Sequence, residues 1–256
     1  MKTSDIYYFS GTGNTKLICL QVKEILEKND FTVNIYPIEK SNPKNLKKSD
    51  LTIFAFPVAV HTTYPFVLDF IRSLPEIPDL NAAVFTTLGG NYSGVPQYVS
   101  KILKDKKFNI KAIEEITMPN NFFISDKDKP LTAEIIDSAK KSAEIFSEKI
   151  ISTETEYKRV KKLINTLFLP AANASWMWKI MRKSVNLNID TNLCVNCGLC
   201  IKICPVENIK SGSFPVIGNN CQSCLRCFSY CPKNAIKRGK KNHLQYHSMN
   251  INDLIK

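Results

Sequence analysis

Eight of the chain's nine cysteines fall between Cys194 and Cys231, in two runs that repeat at an offset of 27 residues. Cys194–Pro205 reads CVNCGLCIKICP and Cys221–Pro232 reads CQSCLRCFSYCP, both C-x2-C-x2-C-x3-C-P. The flanks repeat too, with Ile209 and Ile236 each five residues past the last cysteine of its run. This is an internal duplication in which each half supplies half of a shared core. Thiols so clustered read as metal ligands rather than as a disulfide framework. Structural zinc sites usually present C-x2-C pairs across a longer loop, not triplets followed by C-x3-C-P. Three cysteines two residues apart wrap a short loop around one face of a cubane. The fourth lies too far along the chain to close the same corner, and Pro205 and Pro232 then turn the chain away.

The segment 188–238 resembles the two-cluster bacterial ferredoxins, with all eight ligand positions present. In that run the fourth cysteine serves the other cluster. The resemblance therefore implies one [4Fe–4S] cluster on Cys194, Cys197, Cys200 and Cys231, and a second on Cys221, Cys224, Cys227 and Cys204. One departure is Leu225, which stands where the first run has Gly198, so the local backbone there is in question. A cubane delocalises one electron with little change in geometry, so no base or nucleophile of the protein is required.

Residues 1–151 alternate strand-like and helix-like segments. Strands are expected at Ser4–Phe9, Thr32–Ile38, Leu51–Phe56, Ala82–Leu88 and Ile110–Met118, all rich in Ile, Val, Phe and Tyr. Helices are expected from about Asn14, and over Tyr64–Leu74, Val95–Lys106 and Leu131–Ile151. Such alternation predicts an α/β fold with a parallel sheet covered on both faces. The first strand runs into Ser10-Gly11-Thr12-Gly13-Asn14-Thr15. Glycines let the backbone approach an anion, the helix start offers free N–H groups, and the hydroxyls add donors. Neither the G-x-G-x-x-G fingerprint nor the Walker loop is complete, because position 16 is Lys16.

The stretch F-S-G-T-G-N-T resembles the FMN phosphate loop of flavodoxins. The resemblance implies a doubly wound five-stranded parallel sheet of order 2-1-3-4-5, with FMN at the switch point. It also implies two loops flanking the flavin ring. One carries Pro57, Val58, His61, Thr62 and Tyr64; the other carries Thr87, Leu88, Gly89, Gly90, Asn91 and Tyr92. Tyr92 is the first candidate to stack on the ring and Tyr64 the second, although Tyr64 could equally begin a helix and pack on the sheet. His61 could modulate the flavin's charge or simply face solvent. Cys19, in mid-helix, reads as a small buried apolar residue.

Residues 152–187 form a connector with a basic run at Lys158–Lys162 and an aromatic patch at Trp176–Trp178. It is too apolar for a free linker and reads as helices bracing the two halves, the aromatics as interface packing. The tail from 239 to 256, with Lys237, Arg238, Lys240 and Lys241 at its base, reads as a solvated basic end or as a dock for an acidic partner. The formal charge of +12 overstates the basicity. Eight thiolates around two cubanes remove about four charges and a phosphorylated flavin about two, leaving about +6. No motif for nucleic acid is present. A hydrophobic fraction of 44% is that of a soluble globular protein, and no apolar run approaches the ~20 residues of a membrane span. Met1–Asp5 lead directly into a strand, so a cytoplasmic location without a signal peptide is expected.

Taken whole, the chain resembles the flavodoxin–ferredoxin fusion family, the EFR1-type ferredoxins of anaerobes. That resemblance implies an electron-transfer protein with FMN and two [4Fe–4S] clusters, coupling one- and two-electron steps to redox partner proteins. The alternative is a flavin-dependent reductase of a small-molecule or metallocofactor acceptor; a third reading is a docking subunit of a larger redox complex.

Overall fold

The structure is a computed structural model that describes residues 1–46, 49–90, 93–122, 129–152, 173–239 and 243–256, with backbone alone at 129–131. Five strands form a parallel sheet: β1 (Lys2–Tyr8), β2 (Phe31–Pro37), β3 (Leu51–Pro57), β4 (Asn81–Leu88) and β5 (Asn109–Thr117). Their order is β2-β1-β3-β4-β5, that of the flavodoxin-like doubly wound fold. Each bound lies within a residue or two of the expected one. The strand type was legible because β3 and β4 are buried on both faces and read as unbroken apolar runs. The edge strand β2 alternates instead, with Phe31 and Val33 buried and Thr32 and Asn34 exposed.

Helices α1 (Asn14–Glu27) and α4 (Lys129–Ile151) cover one face; α2 (Pro65–Arg72) and α3 (Val95–Asp105) cover the other. Successive β1 residues divide between the two cores. Ile6 and Tyr8 join Ile18, Cys19 and Val22 of α1, while Tyr7 and Phe9 join Val67, Leu68 and Ile71 of α2. Cys19 is fully buried there, and desolvation pushes its thiol far above the ordinary range.

The connector's described part is α5 (Ser175–Val185). Trp178 on this helix is buried in the sheet's core, its ring 5.8 Å from that of Tyr64, whereas Trp176 is exposed. Lys158–Lys162 lies outside the described residues. Beyond α5 come β6 (Leu187–Ile189), α6 (Leu199–Lys202), β7 (Ile209–Lys210), β8 (Val216–Ile217), α7 (Arg226–Ser229) and β9 (Ile236–Arg238). β6 pairs antiparallel with β9, and β7 with β8.

The sequence duplication is a structural one. Left-handed backbone recurs at the 27-residue offset: Asn196 (φ 52°) with Ser223 (56°), Gly198 (71°) with Leu225 (61°), and Glu207 (48°) with Asn234 (51°). Leu225 thus takes the glycine conformation of its counterpart despite its Cβ, at a cost of about 1–2 kcal/mol. It gains burial in return, being 2% exposed in a core with Val185, Ile209, Cys227, Phe228 and Ile236.

Two expectations for the carboxy-terminal end need correction. Lys237 and Arg238 belong to β9, not to a tail. Arg238 is buried, donating to the Phe122 carbonyl at 2.7 Å with its guanidinium 3.8 Å from the Phe122 ring centre. Residues 243–256 are not a solvated end either. They cross back over the sheet half and finish in α8 (Ile251–Ile255), which buries Leu254. The basic residues at 237–241 drew attention away from the Ile251, Leu254 and Ile255 spacing, which is a helical apolar face.

Candidate functional site

Three cavities define the chemistry. The first, open and about 390 Å³, is lined by Cys194, Cys197, Cys200 and Cys231 together with Val195, Gly198, Leu199 and Pro215. The second, about 380 Å³, is lined by Cys204, Cys221, Cys224 and Cys227 together with Leu187, Ile209, Ile217 and Leu225. Each therefore draws three cysteines from one run and the fourth from the other. The duplicated helices α6 and α7 set these positions. The same amide contact recurs on both crossing thiols: the Asn208 N–H points at Cys204 Sγ at 3.3 Å and the Ala235 N–H at Cys231 Sγ at 3.2 Å. The thiols surround a space rather than a point, and among the described residues no three Cys, His, Asp or Glu side chains converge closely enough to hold a single ion.

The two thiol sets differ in surroundings. Cys197 is exposed, whereas Cys227 is buried. Desolvation pushes the Cys224 thiol up to about 12 and the Cys227 thiol well above its ordinary value, with Cys200 and Cys221 also raised.

The third cavity, about 380 Å³, lies at the carboxyl ends of the central strands. Of the residues named from the sequence, Ser10, Gly11, Thr12, Asn14, Thr15, Pro57, Val58, Tyr64, Thr87, Leu88 and Gly89 line it. Gly13, His61, Thr62 and Gly90 do not, and Asn91 and Tyr92 lie outside the described residues. His61 is exposed; Thr62 is buried but donates to Asn173 Oδ1 at 2.5 Å. Tyr64 immediately precedes α2 and packs in the core, and it also lines the cavity. Met118, Pro119 and Asn121 complete the wall and were not anticipated. Strand order carried the signal, since the loop after β5 also opens at the carboxyl end of the parallel sheet.

The loop before α1 gathers hydrogen-bond donors at the cavity. The first turn of a helix leaves its N–H groups without internal acceptors, here those of Asn14, Thr15 and Lys16. Ser10 Oγ accepts from the Gly13 N–H at 3.1 Å, fixing the turn. The hydroxyls of Thr15 and Thr87 meet at 2.8 Å, and Thr12 Oγ1 accepts from Asn121 Nδ2 at 3.2 Å, leaving its own proton to give. Lys16 turns away, its ammonium donating to the Leu254 carbonyl at 3.2 Å.

The cysteine half grips this loop from two sides. A Cβ on Gly11 would stand 2.5 Å from the carbonyl oxygen of Cys224, so only glycine admits that approach. Arg226, between Cys224 and Cys227 in sequence, donates to the Ser10 carbonyl at 2.8 Å and to that of Ile203 at 3.2 Å. It also pairs with Glu39 at 2.6 Å, both side chains more than nine-tenths buried, and covers the Phe9 ring at 4.8 Å. From the other side, the Ser248 N–H donates to the Thr12 carbonyl at 2.9 Å, and Tyr246 donates to Asn14 Oδ1 at 2.7 Å. Gly13, at φ 100°, faces Ser248 and Met249 with no room for a Cβ. A cleft also lies between the halves, bounded by Glu39, Lys40, Lys202, Cys204, Lys210 and Arg226.

The 4Fe-4S binding domain family matches residues 187–210. No curated protein matches the chain. Among solved structures, a Streptococcus pneumonia TIGR4 flavodoxin is 13% identical, covering 59% of this chain and 99% of its own, with a TM-score of 0.46. The oxidised flavodoxin 2 of Bacillus cereus is 19% identical, covering 57% and 99%, with a TM-score of 0.45. A flavodoxin from the domain Archaea is 14% identical, covering 58% and 98%, with a TM-score of 0.43. The strand order is that of a flavodoxin-like fold, and residues 187–210 match a 4Fe-4S binding domain. No helix among the described residues is long and apolar enough to cross a membrane.

Proposed function

We propose that this chain holds two [4Fe–4S] clusters and one FMN and passes electrons among them, coupling one-electron to two-electron traffic. The observation that carries the reading is the shared wall. Gly11 of the anion loop rests on the Cys224 carbonyl, and Tyr64, which lines the flavodoxin-like cavity, belongs to the hydrophobic cluster against which Cys224 packs. Burial pushes the Tyr64 hydroxyl far above its ordinary value, and negative charge at Cys224 and Cys221 adds to that. Tyr64 therefore stays a neutral, packed spacer between the two sites. Bound here, an FMN would take one or two electrons and each cluster one.

The residues present fit these groups. Four thiols around each cavity suit the corners of a cubane, and the free amides of α1 with the Thr12 and Thr15 hydroxyls suit a terminal phosphate. Trp178 and Arg226 brace the halves so that the sites stay adjacent, which raises the effective concentration of one at the other. Protein purified without oxygen should hold about eight iron and eight acid-labile sulfide per chain. After a one-electron donor is added by rapid mixing, exchange between clusters and flavin should proceed at a rate independent of protein concentration. Stoichiometric zinc without sulfide, or a rate proportional to protein concentration, would sink the proposal.

The anion loop makes a separate prediction. Replacing Thr12 and Thr15 by Val removes two hydroxyl donors to a dianion, each worth about 1.5–3 kcal/mol. FMN affinity should fall by about a hundredfold or more while riboflavin affinity changes little, as read by fluorescence titration. Equal losses for both would refute the phosphate cradle.

A further inference from the structure

We propose that electrons pass between this chain and a partner protein at an apolar collar around the outer thiol cavity, and that the partner presents an apolar surface fringed by carboxylates. This deepens the two-cluster reading above by assigning its two ends. The inner cavity faces the flavodoxin-like half, through Cys224 against Gly11, with Cys227 buried. The outer cavity faces away, with Cys197 exposed on it. At Gly198, in the middle of its ligand loop, a Cβ would meet nothing within 4 Å.

Around that opening the surface is apolar without a structural reason to be. Leu193 is 42% exposed, Val195 58%, Phe214 37% and Val216 60%. Single exposed apolar residues are ordinary, but a cluster rimming one opening marks an interaction site. The residues are held together: Val195 and Pro215 line the same cavity, and Asn196 Nδ2 donates to the Ser213 carbonyl at 3.3 Å, tying the ligand loop to the β7–β8 hairpin. The charges at this rim are cationic. Lys233 is exposed on the cavity's edge. Asp190 Oδ1 accepts from the Asn192 N–H at 3.0 Å. An apolar centre with a cationic fringe selects a partner of the opposite pattern, because rim charges steer encounter while apolar contacts hold the complex.

Rubredoxin, a small acidic one-electron protein, is the probe, and its zinc-substituted form reports binding without any electron. Against Phe214→Asp and Val216→Asp holoproteins, binding of zinc-rubredoxin by calorimetry should weaken about tenfold. Electron transfer to iron rubredoxin should slow by a similar factor. Iron and sulfide content should hold, and cluster reduction by dithionite should change less than twofold. Lys233→Glu should weaken binding and flatten its dependence on salt. Lys202→Ala, in the cleft beside Cys204, should have no effect. The proposal is overturned if wild-type protein does not bind zinc-rubredoxin at low salt, if both collar variants bind normally, or if only Lys202→Ala loses affinity. Slowing that extends to dithionite overturns it too, since the damage then lies at the cluster. Because zinc-rubredoxin exchanges no electron, this result stands apart from whether the flavin is reduced internally.

Discussion

Arg226→Met should destabilise the protein by about 3–5 kcal/mol, the usual consequence of removing one partner from a buried ion pair. The guanidinium is 6% exposed and the Glu39 side chain 9%, so water cannot replace the lost contact. Methionine would leave the Glu39 carboxylate buried and uncompensated; one of its oxygens, Oε2, has no partner among the described residues. It would also strip donors from the carbonyls of Ser10 and Ile203. The double variant Arg226→Met, Glu39→Leu should recover much of that loss, since an apolar pair of similar volume avoids burying charge. Urea unfolding followed by tryptophan fluorescence is suitable, because Trp178 is buried against Tyr64 beside this contact. A single-variant loss below about 1 kcal/mol, or a double variant no better than the single, would mean that Arg226 does not hold the halves together.

That residue also shows where sequence reading stops. The eight cysteines and the Ser10–Thr15 loop were legible because each motif is local: spacing along a few residues dictates the geometry. The strands were legible because parallel, doubly covered strands leave long apolar runs with no solvent-facing alternation to confuse them. Arg226 gave no such sign. It sits inside CQSCLRCFSYCP as one more basic residue, and its importance depends on Glu39, 187 residues away, and on Ser10 and Phe9, more than two hundred residues away. The same holds for the chain's end. Tyr246 and Ser248 matter because they reach Asn14 and Thr12, and nothing in their own neighbourhood announces that. Leu225 is the intermediate case: the missing glycine was visible, but burial in the repeat's core decides that leucine takes the left-handed conformation.

These long-range contacts converge on one loop. Cys224 and Arg226 approach Ser10 and Gly11 from one side, and Tyr246 and Ser248 approach Thr12 and Asn14 from the other. Gln245 extends the second grip by donating to the carbonyls of Phe228 and Cys231, and Tyr230 adds a bond to the Met249 carbonyl. The anion loop is therefore framed by the cysteine half as much as by its own sheet. Fusion in one chain does more than tether two modules: it supplies part of the wall that positions the loop.

Exchanging a single cysteine between two otherwise matched variants should decide between four iron atoms and none. If the cavities are the cluster sites, removing Cys194, Cys197, Cys200 and Cys231 together, each to Ala, deletes one complete ligand set. About four iron per chain should remain, on Cys204, Cys221, Cys224 and Cys227. Keeping Cys231 and removing Cys204 instead leaves each cavity incomplete: one retains Cys231 alone, the other three thiols without their fourth. Iron content should then fall toward zero, or to a labile three-thiol site that loses iron to a chelator. Uncrossed ligation predicts the reverse, with the Cys204 variant keeping four and the Cys231 variant losing both. Loss of iron in both variants could reflect misfolding, because a module of this size draws its stability from its metal. The mirror variant answers that point: removing Cys204, Cys221, Cys224 and Cys227 should spare the outer, solvent-facing site. Its four thiols line an open cavity, and the amide contact on Cys231 comes from Ala235, beside β9 rather than from the deleted run. Four iron in the mirror variant with none in its Cys231-for-Cys204 exchange would fix the crossing independently of the first pair.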